Sequence, residues 1–164
     1  MNENSDRGSS RVMSAHLVTP TASEGRKLVG RMLEGQDELV LWGAELFVTE
    51  LITNGYVHGI GYTREELAKA RHDELSPAVR LTVVIERSER SQKWYATMAV
   101  HDPNPDRPDW GRDLTGNDGD SGRGLAIIRT LFRQKVVVTG YGAVSCGAGK
   151  DVLVEFEIDP PPGS

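Results

Sequence analysis

The sequence predicts an α+β two-layer sandwich, with helices on one face of a mixed, largely antiparallel sheet. Three observations carry that expectation. Helical periodicity dominates the chain up to Gly61, two cleanly alternating strands then follow as a pair, and a further helix and two closing strands end the pattern. The strict strand–helix alternation of a doubly wound dinucleotide fold is missing. With 164 residues the chain is long enough for one domain with a real core, expected over residues 15–159. Residues 1–14 are expected to be a disordered leader, since they lack the apolar run of a signal peptide, and residues 160–164 a disordered tail.

The elements follow in order. His16 to Thr19 reads as a short edge strand stopped by Pro20. Thr21 or Ser23 can cap a helix whose Leu28, Val29, Met32 and Leu33 share one face, with Gly35 ending it. Asp37 opens a long helix that closes at Gly59 to Gly61. From Leu39 to Val57 its only charges are Glu45 and Glu50, so it reads as a helix buried nearly all round. Thr63-Arg64-Glu65-Glu66 has the form of a capping box and starts a short charged helix, Glu65 to His72, expected outside the core. Residues 61–77 form either a partner-binding addition or a neutral surface excursion.

Val79, Leu81, Val83 and Ile85 then alternate along one strand, as do Trp94, Ala96, Met98 and Val100 after the charged turn Arg87 to Lys93. Asp102 to Ser121 has no apolar period and reads as a long binding loop or lid. Leu125 to Arg133 is a helix with Leu125, Ile128 and Phe132 inward. Lys135 to Thr139 and Val152 to Ile158 are the closing strands, joined by a glycine-rich connection from Gly140 to Lys150.

Composition narrows the function. Hydrophobic residues make up 38% and charged residues 26%, the net charge is -5, and no Lys/Arg run stands out. That balance argues against nucleic acid or an anionic membrane as the main partner. No apolar run approaches the roughly 20 residues of a membrane span. The single Cys146 excludes an internal disulfide and any cysteine-based zinc cluster, and is expected to be a plain thiol in a reducing cytosol. His16, His72 and His101 show no spacing of a mutual metal site, and Trp42, Trp94 and Trp110 read as core or rim packing.

Three polar clusters carry chemistry. Glu50 and Asn54 lie one turn apart on the stripe Leu39, Gly43, Leu46, Glu50, Asn54, Val57 of the long helix. An unpaired buried carboxylate costs on the order of several kcal/mol. Either Glu50 pairs with a core Arg or caps a neighbouring element, or a cation, water and phosphate meet the pair. Asp102 ends a buried strand in Val100-His101-Asp102-Pro103-Asn104-Pro105. It either opens an Asx-type turn or accepts from an exocyclic amine, which distinguishes adenine from guanine. In Asp120-Ser121-Gly122-Arg123-Gly124-Leu125 the glycines let backbone amides approach an anion at a helix N-terminus, with Arg123 adding a contact; otherwise they only form a tight loop capped by Ser121. Together the three would place Asn54 on a Mg²⁺ ion, Asp102 on the base, the Gly122–Gly124 turn on the phosphates, and Glu50 as general base.

Val48-Thr49-Glu50-Leu51-Ile52-Thr53-Asn54 with His58-Gly59 resembles the asparagine box of the GHKL superfamily of ATP-binding proteins (gyrase, heat-shock chaperone, histidine kinase, mismatch-repair type). Val100-His101-Asp102 resembles its first glycine box and Ser121-Gly122-Arg123-Gly124-Leu125-Ala126 its second, over a span from about His16 to Ile158. Within the superfamily the chain is similar to anti-sigma-factor serine/threonine kinases and their actinobacterial relatives. The resemblance implies a left-handed Bergerat-type sandwich, Mg-ATP as ligand, Asn54 on the metal, Glu50 as catalytic base, and Asp102 on the adenine amine. It further implies His58, Asn104, Gly122, Arg123, Gly124 and Leu125 around the nucleotide. A sigma factor and an anti-sigma-factor antagonist are the implied partners, in a cytoplasmic protein whose relatives often form homodimers. The implied alternative is an adaptor of the same fold without turnover. The chain departs from the family in having Pro103, Asn104 and Pro105 where glycines follow the Asp. It also has Asp151 or Val152 in place of the late adenine-site threonine, and residues 61–77 are a longer link than usual.

Overall fold

The computed structural model describes residues 9–108, 123–135 and 137–164. Five strands, β1 (Ser9–Val18), β2 (Arg80–Ser88), β3 (Trp94–Asp102), β4 (Val138–Ser145) and β5 (Lys150–Ile158), form one sheet in the order β1-β2-β3-β5-β4. Every described pairing is antiparallel, so the expected mixed sheet is corrected to an antiparallel one. Helices α1 (Ala22–Met32), α2 (Glu38–Asn54), α3 (Arg64–Lys69) and α4 (Arg123–Arg133) complete an α+β fold compatible with two layers.

Alternation explains the layering. Leu81, Val83 and Ile85 on β2, Ala96, Met98 and Val100 on β3, and Val152, Val154, Phe156 and Ile158 on β5 all turn to the core, where they meet Leu28, Val29, Phe47, Val48, Leu51 and Ile52. Phe47 and Phe156 stack with ring centroids 5.6 Å apart, fixing α2 over β5.

The capping signals act as read. The Thr21 hydroxyl accepts from Glu24 N–H while the Glu24 carboxylate accepts from Thr21 N–H, and Thr63 and Glu66 repeat the arrangement on α3. Asp37 caps α2 by accepting from Leu39 N–H. None of the α3 side chains is buried, as expected for its charged sequence.

Several boundaries differ from expectation. Strand β1 begins at Ser9, so part of the stretch read as a leader is paired with β2. Strand β4 begins at Val138 and runs through Gly140 and Gly142 to Ser145, shrinking the expected connection to a short turn. Helix α2 is not buried all round: Leu39 and Trp42 are exposed, because a helix laid on a sheet hides one face only. Its buried face is Ala44, Phe47, Val48, Leu51 and Ile52, and the stripe carrying Glu50 and Asn54 runs along the margin of the contact. Phe132 is likewise exposed on α4, with its ring edge against Tyr141. Trp94 is half-buried at the start of β3, while Trp110 lies outside the described residues. No helix among the described residues is long and apolar enough to cross a membrane.

Candidate functional site

Beyond Asn54 the helix continues without a break. Gly55–Ile60 is a π-turn, closed by Gly61 at φ 99°, whose N–H donates to Tyr56 O. Such turns are costly in backbone geometry and are frequent at functional positions. Two glycines let this segment lie on the end of β3. A Cβ at Gly55 would come within 3.1 Å of Val100 Cγ1, and one at Gly59 within 2.5 Å of Asp102 Cβ. On the other side, a Cβ at Gly149 would overlap the Asp102 carbonyl oxygen. Asp102 is thus held between two glycines from distant parts of the chain.

The structure therefore brings the end of α2 with its π-turn and the end of β3 at Asp102 together. Asn54, at the end of α2, has both polar atoms of its carboxamide shut off from solvent, and among the described residues neither has a hydrogen-bond partner. Glu50 is half-buried one turn earlier and has an interaction of its own. His58 is exposed, and its carbonyl accepts from Asn104 Nδ2 at 2.9 Å, tying the π-turn to the segment after β3. The Tyr56 hydroxyl is also buried without a hydrogen-bond partner among the described residues, and burial above all pushes its pKa well up.

Asp102 is only 3% exposed. Its Oδ1 accepts from Asn104 N–H at 2.9 Å, so the Asx-type turn read from the sequence is present; Asp106 N–H repeats it on Asn104 Oδ1. The same Oδ1 also accepts from Lys150 Nζ at 2.9 Å, and Lys150 donates to Asn104 O at 2.8 Å. Lys150 stands opposite Asp102 in the β3–β5 register, and both side chains are nearly sealed from water. Lys150 thus faces Asp102, directly before Asp151 and Val152, the residues read in place of a late adenine-site threonine. Asp151 points to the opposite sheet face, because side chains alternate along the strand.

The third cluster is described in part. Gly122 and Ser121 lie outside the described residues, as does the stretch 109–122 of the expected long loop. Arg123 and Gly124 open α4, and Leu125 is buried in the core, 6% exposed, in keeping with its inward reading. The phosphate-cradle expectation therefore rests on the backbone position of a helix N-terminus alone.

These residues fit a cation–nucleotide ligand at one end. The carboxamide oxygen of Asn54 is a hard donor of the kind Mg²⁺ takes, and it lacks a protein partner among the described residues. At the base end the fit is conditional: Asp102 Oδ1 already serves two donors, so an adenine amine has to share or displace Lys150. Sequence reasoning missed Lys150, although it stands in inward phase with Val152, Val154 and Phe156, a phase that asks a cation for a buried counter-charge. Comparison of the chain with protein-family models, with curated proteins and with solved structures returns no match.

Proposed function

We propose that this protein is an ATP-binding regulatory protein of the GHKL type, with a Bergerat-type sandwich, that acts as a protein serine/threonine kinase and anti-sigma factor in the cytoplasm. The observation that carries the reading is the buried carboxamide of Asn54, without a partner among the described residues and one turn from Glu50, beside the strand end that bears Asp102. A polar group left so costs about 1–3 kcal/mol, and a ligand that meets it offsets that cost. In this reading Asn54 holds Mg²⁺, Asp102 with Asn104 lies at the base, the α4 N-terminus with Gly122, Arg123 and Gly124 lies at the phosphates, and His58 borders them. Bound Mg-ATP supplies the transferable phosphoryl group. Glu50 takes the proton from a serine or threonine hydroxyl of an antagonist protein, the step that sets turnover apart from binding.

Calorimetric titration with Mg-ADP tests the binding claim. Saturable heat that disappears in Asn54→Ala is expected, and a flat titration of the native protein overturns the reading. Labelled ATP with a cognate antagonist tests the kinase claim. Glu50→Ala should keep affinity and lose about 10²–10⁴-fold in transfer rate; loss of both would make Glu50 structural.

A second reading is an adaptor that binds nucleotide or protein without turnover. The buried Asp102–Lys150 pair favours it, because the pair closes the base end with protein groups. Saturable Mg-ADP binding without phosphoryl transfer under any divalent metal would select it.

A further inference from the structure

The pair Asp102–Lys150 faces the helices. Directly behind it, on the other face of the sheet, three side chains of different chemistry converge. His101 and Asp151 are cross-strand partners on β3 and β5, and Cys146 lies in the turn after β4, where its N–H donates to Gly149 O. His101 Nδ1 is 2.9 Å from Asp151 Oδ1 and 3.4 Å from Cys146 Sγ, and the three ligand atoms all lie within 4.8 Å of one another.

We propose that His101, Cys146 and Asp151 form a binding site for a divalent transition-metal ion, Zn²⁺ by its ligand chemistry. The argument is one of spacing and charge. Zinc bonds of about 2.0–2.3 Å arranged tetrahedrally separate N, O and S ligands by roughly 3.3–3.6 Å. The observed His–Cys separation falls in that range and the His–Asp separation is slightly shorter, so an ion enters with a small side-chain adjustment. A thiolate and a carboxylate with a neutral imidazole supply two negative charges to a divalent ion. The thiolate–imidazole pair selects a borderline-soft metal and disfavours Mg²⁺ and Ca²⁺, which take oxygen ligands.

One further observation agrees. The cluster opens on a cavity of about 380 Å³ that His16, Arg80 and Thr82 also line, which leaves room for water as fourth ligand. His16 bonds Thr82 Oγ1 through Nδ1 at 3.0 Å and is a neighbour rather than a ligand. On this proposal Cys146 is a metal ligand, where the sequence alone reads a plain thiol. Sequence spacing hid the site because its residues meet through strand register, not along the chain.

The test is a Co²⁺ titration of the full chain under reducing conditions, followed by Zn²⁺ competition against a chromophoric chelator. Saturation at one ion per chain with a thiolate-to-cobalt charge-transfer band, displaced by Zn²⁺, is expected. Cys146→Ser should abolish the band. Asp151→Asn should weaken Zn²⁺ binding by about 100-fold or more, since even partners outside the ligand set are worth about 10–100-fold. His72→Ala, remote from the cluster, should change nothing. Absence of the band in native protein, or Zn²⁺ affinity unchanged in Asp151→Asn, overturns the site in favour of a hydrogen-bonded His–Asp pair beside a thiol. If Cys146→Ser fails to fold by circular dichroism, Asp151→Asn decides alone. The outcome is independent of whether the chain binds ATP.

Discussion

Replacing Lys150 by methionine isolates the energetics of the buried pair. The methionine side chain keeps most of the length of lysine and removes the charge, so packing is largely preserved. What is lost is specific. The Asp102 carboxylate, whose side chain is 4% exposed, loses its counter-charge, and Asn104 O loses the donor that reached it at 2.8 Å. Breaking a buried pair by deleting one partner costs about 3–5 kcal/mol, chiefly because the remaining charge stays desolvated. Native domains hold only about 5–15 kcal/mol in total. For a chain of this size each kcal/mol moves the melting midpoint by about 2–4 °C, so a fall of about 10 °C is expected.

Urea unfolding is the assay, with an unchanged m-value required so that the midpoint reports stability alone. Adding Asp102→Asn to Lys150→Met should restore at least half of the loss. A neutral carboxamide keeps the Asn104 N–H bond and needs no counter-charge. A cost below about 1 kcal/mol for Lys150→Met, or a double variant no more stable than the single one, would refute this account. The proposed nucleotide site adds a further readout. An adenine amine supplies the missing donor to Asp102, so Mg-ATP should raise the midpoint of Lys150→Met more than that of native protein, and Mg-GTP should not.

Asn54→Leu should stabilise the ligand-free protein by about 1 kcal/mol, because it removes a buried carboxamide without a partner among the described residues, while abolishing stabilisation by Mg-nucleotide; thermal melts with and without ligand check both. Gly59→Ala should destabilise by about 1–3 kcal/mol, since the added methyl meets Asp102 Cβ at 2.5 Å and the packed site has little room to yield. The Glu24 carboxyl is held below its ordinary value of 4.5 chiefly by the Thr21 N–H. A depressed carboxylate stabilises above its unfolded value and loses that contribution as pH falls through the folded one. Glu24→Gln should therefore cost up to about 1 kcal/mol at pH 7, after screening at this half-exposed site, and the difference should vanish in acid; paired urea curves across that window decide it.

The central strands were legible because their residues obey a period of two: every inward position of β2 from Leu81 to Ile85, and of β5 from Val152 to Ile158, is apolar. The edge strands were legible only in part, at His16 to Val18 of β1 and at Val138 and Thr139 of β4. Ser9 to Ser14 carries no apolar alternation, since β1 pairs on one side only, and its polar run read as a leader. In β4 the glycines at 140 and 142 looked like a connection, although the β5 backbone pairs with both. The site divides in the same way. The Glu50–Asn54 spacing follows from helix geometry and could be read directly. The approach of Gly59 and Gly149 to Asp102 depends on tertiary packing. Lys150 had a readable sign, a charge in the apolar phase, but its partner depended on a register that no local pattern fixes.

That register joins the two faces of the sheet. His101 and Asp102 on β3 stand opposite Asp151 and Lys150 on β5, so one pair of cross-strand steps places an acid and a lysine inward and a histidine and an acid outward. A slip of one residue would move Lys150 to the outer face and bring Asp151 in opposite Asp102, setting two carboxylates together away from water. Each face thus penalises the register that the other forbids. An ion bound by His101, Cys146 and Asp151 would tie β3, β5 and the β4–β5 turn at the level of Asp102, adding its binding free energy to the native pairing alone. Occupancy of the outer site should then slow amide exchange at residues 101–102 and 150–151 while leaving the far end of the same strands, at Trp94 and Ile158, unchanged. Uniform protection along both strands would instead mean that the ion raises global stability and has no particular hold on the site.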